Sequence, residues 1–413
     1  MMFKIFEYII VFLGMLTSLY AAYFILIALW GEVRKKRKTK TNEISPVTRF
    51  ALVVAARNEA AVIGNLINSL QQQNYPKDLY DIYVAPNNCA DNTREIAISH
   101  GANIFDPQGI IRSKGDVLSQ FVKMCMEGKK YDAICVFDAD NIVHADFLQK
   151  MNNEKLAGAN IAQGFKNSKN PADSGIATSF SIYYWMIGRF YNSSREVLGL
   201  SSFITGTGFM VTISFFEKIS GWNTRTITED FEFSAQCVLA GERVHYVPDA
   251  IVYDEQPLTF KQSWKQRRRW STGFFECGKI YLGDLFKHAV DNRKAVSLDL
   301  TMTYMGPMIF ILSIIVFVGQ IGLMGFRFYL HYPTGQPQFL LACLNSGLLL
   351  CILLAAFITY ISNRHTSQGM GRGIVFFILF VISWIPINFV SLFKKQRKWE
   401  PITHIRAITL NDI

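Results

Sequence analysis

Two carboxylates one residue apart, directly after an apolar run, are the feature of this sequence best suited to chemistry. In Phe137-Asp138-Ala139-Asp140-Asn141 the pair can share a divalent ion and face a diphosphate. Hard oxygen ligands suit Mg2+ or Mn2+, which keep sites for phosphate and water. The competing reading is a turn rich in Asp and Asn. Further on, Ile227-Thr228-Glu229-Asp230, followed by Glu232, offers a carboxylate able to take a proton from an attacking hydroxyl. The same stretch reads as a helix start, with Thr228 as cap and acids in the first turn. Both can hold, because a cap fixes the carboxylate. Gln266-Arg267-Arg268-Arg269-Trp270 supplies forked donors for phosphate oxygens and a flat face for a sugar ring. A basic interfacial helix is the alternative, and Trp264 and Lys265 strengthen it. Thr205-Gly206-Thr207-Gly208 allows close backbone approach to a ligand, or simply a tight turn. It lacks the glycine spacing and the Lys of nucleotide loops.

These groups need elements to position them. Phe50 to Ala56 reads as a buried strand, and Asp81 to Ala85 and Ala133 to Phe137 read as further strands. Glu59 to Gln73 has helical apolar spacing, and Asn92 to His100 reads as a helix ended by Gly101. Strands alternating with helices imply an α/β fold around a doubly wound, mostly parallel sheet. Ligands bind beyond the carboxyl ends of such strands, which is where the polar clusters fall.

The chain has 413 residues, half of them hydrophobic, with 42 Lys plus Arg against 32 Asp plus Glu. Apolar residues concentrate at the two ends. Phe6 to Trp30 is long enough to span a membrane, for which about 20 residues are needed. The basic run Arg34-Lys35-Lys36-Arg37-Lys38 follows it, the reverse of a signal peptide, so a single anchor with the next domain in the cytoplasm is expected. Segments near 304–326, 338–362 and 373–393 are each long enough to span. One span before the middle and three after it would put the basic run from Lys394 to Lys398 outside, against the positive-inside tendency. Either one segment is interfacial or re-entrant, or the tail is an exception; Pro386 and Asn388 make the last segment the least ordinary. The juxtamembrane placing of the basic runs favours anionic lipid over nucleic acid as their partner. Seven Cys with no metal-knuckle spacing read as reduced cytoplasmic thiols.

In their order, the four clusters resemble the family-two inverting membrane glycosyltransferases, the group of cellulose, hyaluronan, chitin and poly-N-acetylglucosamine synthases. They match its paired-Asp, glycine-turn, Thr-Glu-Asp and Gln-x-x-Arg-Trp signatures, and the likeness runs from about Phe50 to Trp270 and into the last helices. The resemblance implies a GT-A-like nucleotide-diphosphate-sugar transferase domain flanked by transmembrane helices. It divides the chain into an anchor at 1–32, a cytoplasmic transferase domain at 45–260 and amphipathic interfacial helices at 261–300. Transmembrane helices at 301–393 and a basic tail at 394–413 follow. It implies a UDP-sugar donor bound by Ala55, Glu59, Asn87, Lys114, Asp138, Gln266, Arg269 and Trp270. Asp138 and Asp140 would hold Mg2+ or Mn2+, and Asp230 would be the general base. Gly206, Thr207, Glu229 and Trp270 would meet the acceptor. Asn87 stands where the family has an Asp that recognises uracil; its carbonyl can still accept from the imide, without the charge. Arg267 and Arg268 fall at variable positions and are given electrostatic support only. Phe209 and Met210 after the glycine turn are expected in the core before an acceptor channel. The segment Lys398 to His404 is loosely similar to Trp-containing tails that swing over the donor site in some members.

The leading expectation is a processive synthase of an extracellular or capsular polysaccharide, with a small accessory membrane subunit as a candidate partner. A single-step transferase onto a lipid acceptor uses the same base and metal and stays open. A non-catalytic partner of an export machine is disfavoured, since all the charged signature residues are present. So is a pure channel, since few ionisable residues lie inside the apolar spans.

Overall fold

The computed structural model describes residues 2–35, 44–330, 336–363, 369–371, 373–394 and 406–412. Most of the two basic runs, at 36–38 and 395–398, lies outside them, as does the segment from Trp399 to His404.

The strands are β1 (Phe50–Ala56), β2 (Tyr80–Pro86), β3 (Asn103–Ile104), β4 (Ala133–Asp138), β5 (Ile142–Val143), β6 (Ile161–Ser168), β7 (Phe209–Thr212) and β8 (Val244–Asp254). They form one sheet in the order β3-β2-β1-β4-β7-β6-β8-β5. β1 reads as an unbroken apolar run because both of its faces are covered, as in parallel sheets generally. Phe50, Leu52, Val54 and Ala56 enter one core with Phe137, Phe147 and Met151. Ala51 and Val53 point the other way, into a second core with Phe121, Phe209, Trp222 and Phe233. This is the two-residue alternation of a strand.

The sheet is mostly parallel but not a plain doubly wound one. β7 enters antiparallel to both β4 and β6, and β5 is antiparallel to β8. β7 follows directly on the glycine turn, so its reversal is what brings that turn back over the end of β4. Phe209 and Met210 are fully buried on β7.

Helices α2 (Ile63–Gln71), α3 (Thr93–Ser99), α4 (Lys114–Gly128), α5 (Phe147–Leu156), α8 (Ile213–Lys218) and α9 (Glu229–Leu239) belong to this globular unit. α2 begins four residues later than its apolar spacing suggests. Asn58 takes a left-handed φ of 58°, and the Glu59 carbonyl accepts from the Val62 and Ile63 amides in a turn before the helix settles.

Among the described residues, five long helices stand besides α6 (Gly175–Met186) and the short α7 (Ser193–Leu198), which a wider helical turn joins. α1 (Met2–Arg34), α10 (Phe260–Asp291), α11 (Ala295–Tyr329) and α12 (Gln336–Ser362) are followed by α13 (Gly373–Phe393). Among the described residues, Phe3–Arg34, Ala295–Tyr329 and Gly373–Phe393 are long and apolar enough to cross a membrane, marking a membrane-associated chain. α1 and α11 pack antiparallel. Phe3 meets Phe326 with ring centroids 5.1 Å apart, and Arg327 bonds Glu7 at 2.7 Å.

Near the other end of that pair, α7 is bolted on. Arg195 and Asp299 form a two-pronged ion pair at 2.8 and 2.9 Å, and each is 1 % exposed. The Tyr23 hydroxyl of α1 donates to the same carboxylate at 2.7 Å. Removing one partner of a buried pair strands the other charge, so Asp299→Ala should cost about 3–5 kcal/mol. A thermal melt in detergent that is unmoved by this change would remove the pair from the account of how globule and helices are joined.

Candidate active site

The capped start of α4 delivers the first candidate side chain. Ser113 accepts from the Asp116 amide, and Asp116 returns the bond to the Ser113 amide at 3.0 Å, a capping box that fixes the first turn. Lys114, one residue in, reaches Asp138 Oδ1 at 2.5 Å and the Gly206 carbonyl at 2.7 Å. The end of β4 and the glycine turn are thereby tied to one ammonium group. Burial opposes the Lys114 charge, but the carboxylates of Asp138, Glu229 and Asp230 outweigh it and hold its pKa above the usual lysine range.

The glycine turn closes over the carboxylate pair. The Asp138 amide donates to Thr207 Oγ1 and Asn141 Oδ1, each at 3.0 Å, and the Thr207 hydroxyl donates to Asn141 Oδ1. Below it, buried Gln163 of β6 accepts from the Thr205 amide at 2.9 Å and donates to the Thr207 carbonyl at 2.9 Å. Thr207 is thus a brace inside the turn. Gly206 has a φ of 87°, and a β-carbon there would lie 3.2 Å from Asp230 Oδ2. Gly206→Ala should therefore cost about 1–2 kcal/mol of backbone strain and crowd that carboxylate. The check is a lowered melting temperature accompanied by a larger fall in turnover; full turnover would show that the turn tolerates a side chain.

Asp230 stands in the first turn of α9. Thr228 occupies the N-cap position but makes no side-chain cap; its hydroxyl lies 3.7 Å from Cys277 Sγ instead. Asp230 Oδ1 accepts from its neighbouring Phe231 amide at 2.8 Å, and Glu232 ties down the preceding loop through the Arg225 and Thr226 amides at 2.7 and 2.6 Å. Helix α10 presses on this loop. A β-carbon on Gly273 would sit 2.2 Å from Thr228 Oγ1, so only glycine admits the contact. From α11, the Tyr304 hydroxyl donates to the Phe231 carbonyl, with the two rings stacked at 4.1 Å. Burial raises the pKa of Asp230 above the usual carboxylate range against Arg269 and Lys114. Burial and the neighbouring Asp230 push Glu229 up to about 7.

A third carboxylate joins Asp138 and Asp140. Asp254, at the end of β8, offers an oxygen that lies with one from each of them inside a span of 4.8 Å. Asn141 Nδ2 donates to Asp254 Oδ1 at 3.0 Å, and Lys166 of β6 meets Asp254 Oδ2 at 2.8 Å. The Asp140 carboxylate accepts from the Glu255 amide at 3.1 Å. Burial, together with the other two acids, lifts Asp254 to about 6 against the pull of Lys166. Three clustered oxygen donors, two at strand ends and Asp140 in the turn between β4 and β5, are the chemistry of a hard divalent cation. Asp254 and Lys166 escaped sequence reasoning; the polar break ending the β8 run was the only signal.

Ala55 lies level with Ala85 and Asp138 in the sheet register. Asn87, just beyond β2, donates its side-chain amide to the Ala56 carbonyl at 3.2 Å. The Glu59 amide donates to Thr93 Oγ1 at 2.9 Å, so the first loop and the start of α3 close the same edge. On α10, Arg269 acts electrostatically on Asp138, Glu229 and Asp230. Gln266 Oε1 is buried without a hydrogen bond among the described residues. Trp270 lies in an aromatic cluster with Phe180, Tyr183, Tyr184 and Trp384, nearly parallel to Tyr183 and Trp384. Arg267 does more than lend charge: it is 0 % exposed and donates to the Phe380 carbonyl and Ser383 Oγ of α13 at 2.9 and 2.8 Å.

An acidic cluster and a glycine turn at the carboxyl ends of a mostly parallel sheet, closed by a basic helix, define a GT-A-like glycosyltransferase. The chain belongs to the glycosyl transferase family group 2, whose model matches residues 133–391. It is 26 % identical to the probable glycosyltransferase YdaM of Bacillus subtilis over 85 % of this chain and 86 % of that protein. It is also 26 % identical to the beta-monoglucosyldiacylglycerol synthase of Trichormus variabilis, over 59 % of this chain and 53 % of that one, about half its length. The poly-beta-1,6-N-acetyl-D-glucosamine synthase of Staphylococcus aureus is 26 % identical over 62 % of this chain and 60 % of its own. Among solved structures, the mannosyltransferase PcManGT of Pyrobaculum calidifontis, in complex with GDP-Man and Mn2+, superposes with a TM-score of 0.59. It covers 94 % of this chain and 100 % of its own at 12 % identity, a likeness of fold.

Proposed function

We propose that the protein transfers a sugar from UDP to an acceptor hydroxyl with inversion, on the cytoplasmic face of the membrane. The observation that carries this reading is the ring of contacts Lys114–Asp138, Lys114–Gly206 and Gly206 against Asp230, which sets a buried carboxylate beside the paired acids. Asp230 takes the proton of the attacking hydroxyl. Asp138, Asp140 and Asp254 would hold Mg2+ or Mn2+, which would supply positive charge against the donor's diphosphate. Arg269 and Lys114 add positive charge as that diphosphate leaves. Ala55, Glu59 and Asn87 bracket the base and ribose, and Gln266 and Trp270 close the site from α10. Gly206, Thr207, Glu229 and Trp270 border the acceptor side.

The product is a surface polysaccharide, in keeping with the likeness to a poly-N-acetylglucosamine synthase. The similarity to a glucolipid synthase supports a second reading, transfer to a lipid acceptor. Purified protein incubated with a panel of labelled UDP-sugars, reading UDP release and product size together, tests both. A polymer ladder supports the first reading; a single lipid-mobile product replaces it with the second. No UDP release from any UDP-sugar would overturn the nucleotide assignment.

A further inference from the structure

We propose that α13 does not cross the membrane: both of its ends stay on the side of the globular unit, and its outward apolar face rests against the lipid surface. A span must leave its ends on opposite sides of about 30 Å of hydrocarbon. The first end of α13 lies on α6, where a β-carbon on Gly373 would be 2.3 Å from Thr178 and one on Gly175 would be 2.5 Å from Phe376. At the other end, Arg268 of α10 donates to the Lys394 carbonyl at 3.1 Å, and Ser391 Oγ donates to the Arg268 carbonyl at 3.4 Å. Between them, Arg267 holds the Phe380 carbonyl, and the Ser271 hydroxyl donates to Asn388 Oδ1 at 2.6 Å. The stretch of α10 making these contacts carries Lys261, Lys265, Arg267, Arg268 and Arg269. Such a cluster of cations is far too costly to sit in hydrocarbon. The helix beside it therefore lies outside the hydrocarbon as well.

The remaining helices account for the crossings. α1 and α11 run antiparallel, and α12 returns from the far end of α11 to place Ser362 2.6 Å from Arg189, which also bonds Glu32 of α1 at 3.0 Å. Three crossings leave the Arg34 end of α1, the globular unit and the residues after α13 on one side. The described tail agrees: Arg406 Nη2 meets Asp173 at 2.9 Å, and Lys169 donates to the Arg406 carbonyl at 3.0 Å. Arg34, Lys35 and Lys394 then share the positive side, which removes the charge conflict of a four-span reading. α13 is also two-faced. Phe377, Phe380, Ile387, Asn388 and Ser391 are buried, while Val375, Leu379, Ile382, Phe389 and Phe393 form one exposed stripe at helical spacing. An apolar stripe flanked by basic residues suits the acyl and headgroup boundary.

The cytoplasmic placing of the catalytic domain belongs to the proposed function, so the test reads α13 relative to that domain. Single cysteines at Lys123 on the domain, Ala407 in the tail and Leu330 at the far end of α11 are labelled with a membrane-impermeant maleimide. The background lacks native thiols, and intact cells are compared with permeabilised ones. Ala407→Cys should behave as Lys123→Cys and opposite to Leu330→Cys. If Ala407→Cys instead follows Leu330→Cys, α13 crosses and the proposal fails. If Lys123→Cys labels in intact cells, the cytoplasmic assignment fails while the α13 result still stands. A photo-crosslinking residue at Leu379 should give lipid adducts; a protein adduct would overturn the lipid-facing assignment.

Discussion

Asp230→Asn should lower the rate of sugar transfer by about 10²–10⁴-fold, the range ascribed to a positioned general base. The affinity for UDP should stay close to that of the unchanged protein, because the substitution keeps the shape of the side chain and its bond to the Phe231 amide. A base acts in its ionised form, and burial sets the pKa of Asp230 above the usual carboxylate range. The rate should therefore fall as pH drops through that raised value, at a higher pH than an ordinary aspartate would give. Arg269 and Lys114 both favour the ionised form. Arg269→Gln should then push the acid limb of the pH–rate profile further upward, a shift that loss of packing alone does not produce. Steady-state rates with one fixed UDP-sugar across pH 5 to 9 provide the measurement. Turnover within a few-fold of the unchanged protein in Asp230→Asn would move the base to Glu229, whose own pKa of about 7 makes it the nearest substitute.

How far the sequence foretells this site depends on whether a residue's partners are near it in the chain. β1 and β4 were legible because a strand covered on both faces leaves an unbroken apolar run, β2 because Ile82, Val84 and Ala85 keep it largely apolar although Asp81 and Tyr83 stay half-buried, and the carboxyl ends of the three fix Ala55, Asn87 and Asp138. The clusters at Asp230 and Gln266 were legible because each is a local run with a recognisable order. β7 was not, since three apolar residues and a threonine after a glycine turn carry no sign of antiparallel pairing. Thr228 has the residue type and place of a cap, but the close approach of Gly273 on α10 lies 45 residues away and turns the loop elsewhere. Arg267 falls at a variable position of a basic run, which by itself implies only electrostatic support. Its burial depends on Phe380 and Ser383, over a hundred residues further on. Composition alone likewise makes α13 a span, whereas the polar bonds to α10 that argue otherwise exist only in three dimensions.

Asp254→Asn carries the second large effect, because the residue has two duties that can be separated. It completes the oxygen set with Asp138 and Asp140, and it neutralises Lys166, whose side chain is 10 % exposed and whose ammonium lies over the Tyr184 ring. Loss of a cation ligand should weaken Mn2+ binding in the presence of UDP by at least ~10–100-fold, the loss seen even for outer-shell partners. Loss of the counter-charge should also destabilise the fold, by about 3–5 kcal/mol for a buried pair broken on one side. Adding Lys166→Met distinguishes the two. With both charges gone, the isolated buried ammonium no longer exists, so the melting temperature should recover toward that of the unchanged protein. If Asp254 is a ligand, Mn2+ affinity stays low in the double variant; if it is only the partner of Lys166, affinity returns together with stability. Asp140→Asn serves as the reference, since it should lose Mn2+ binding while the Lys166–Asp254 pair stays intact. Calorimetric titration of Mn2+ into the UDP-loaded protein, with a thermal melt of each variant, separates these outcomes.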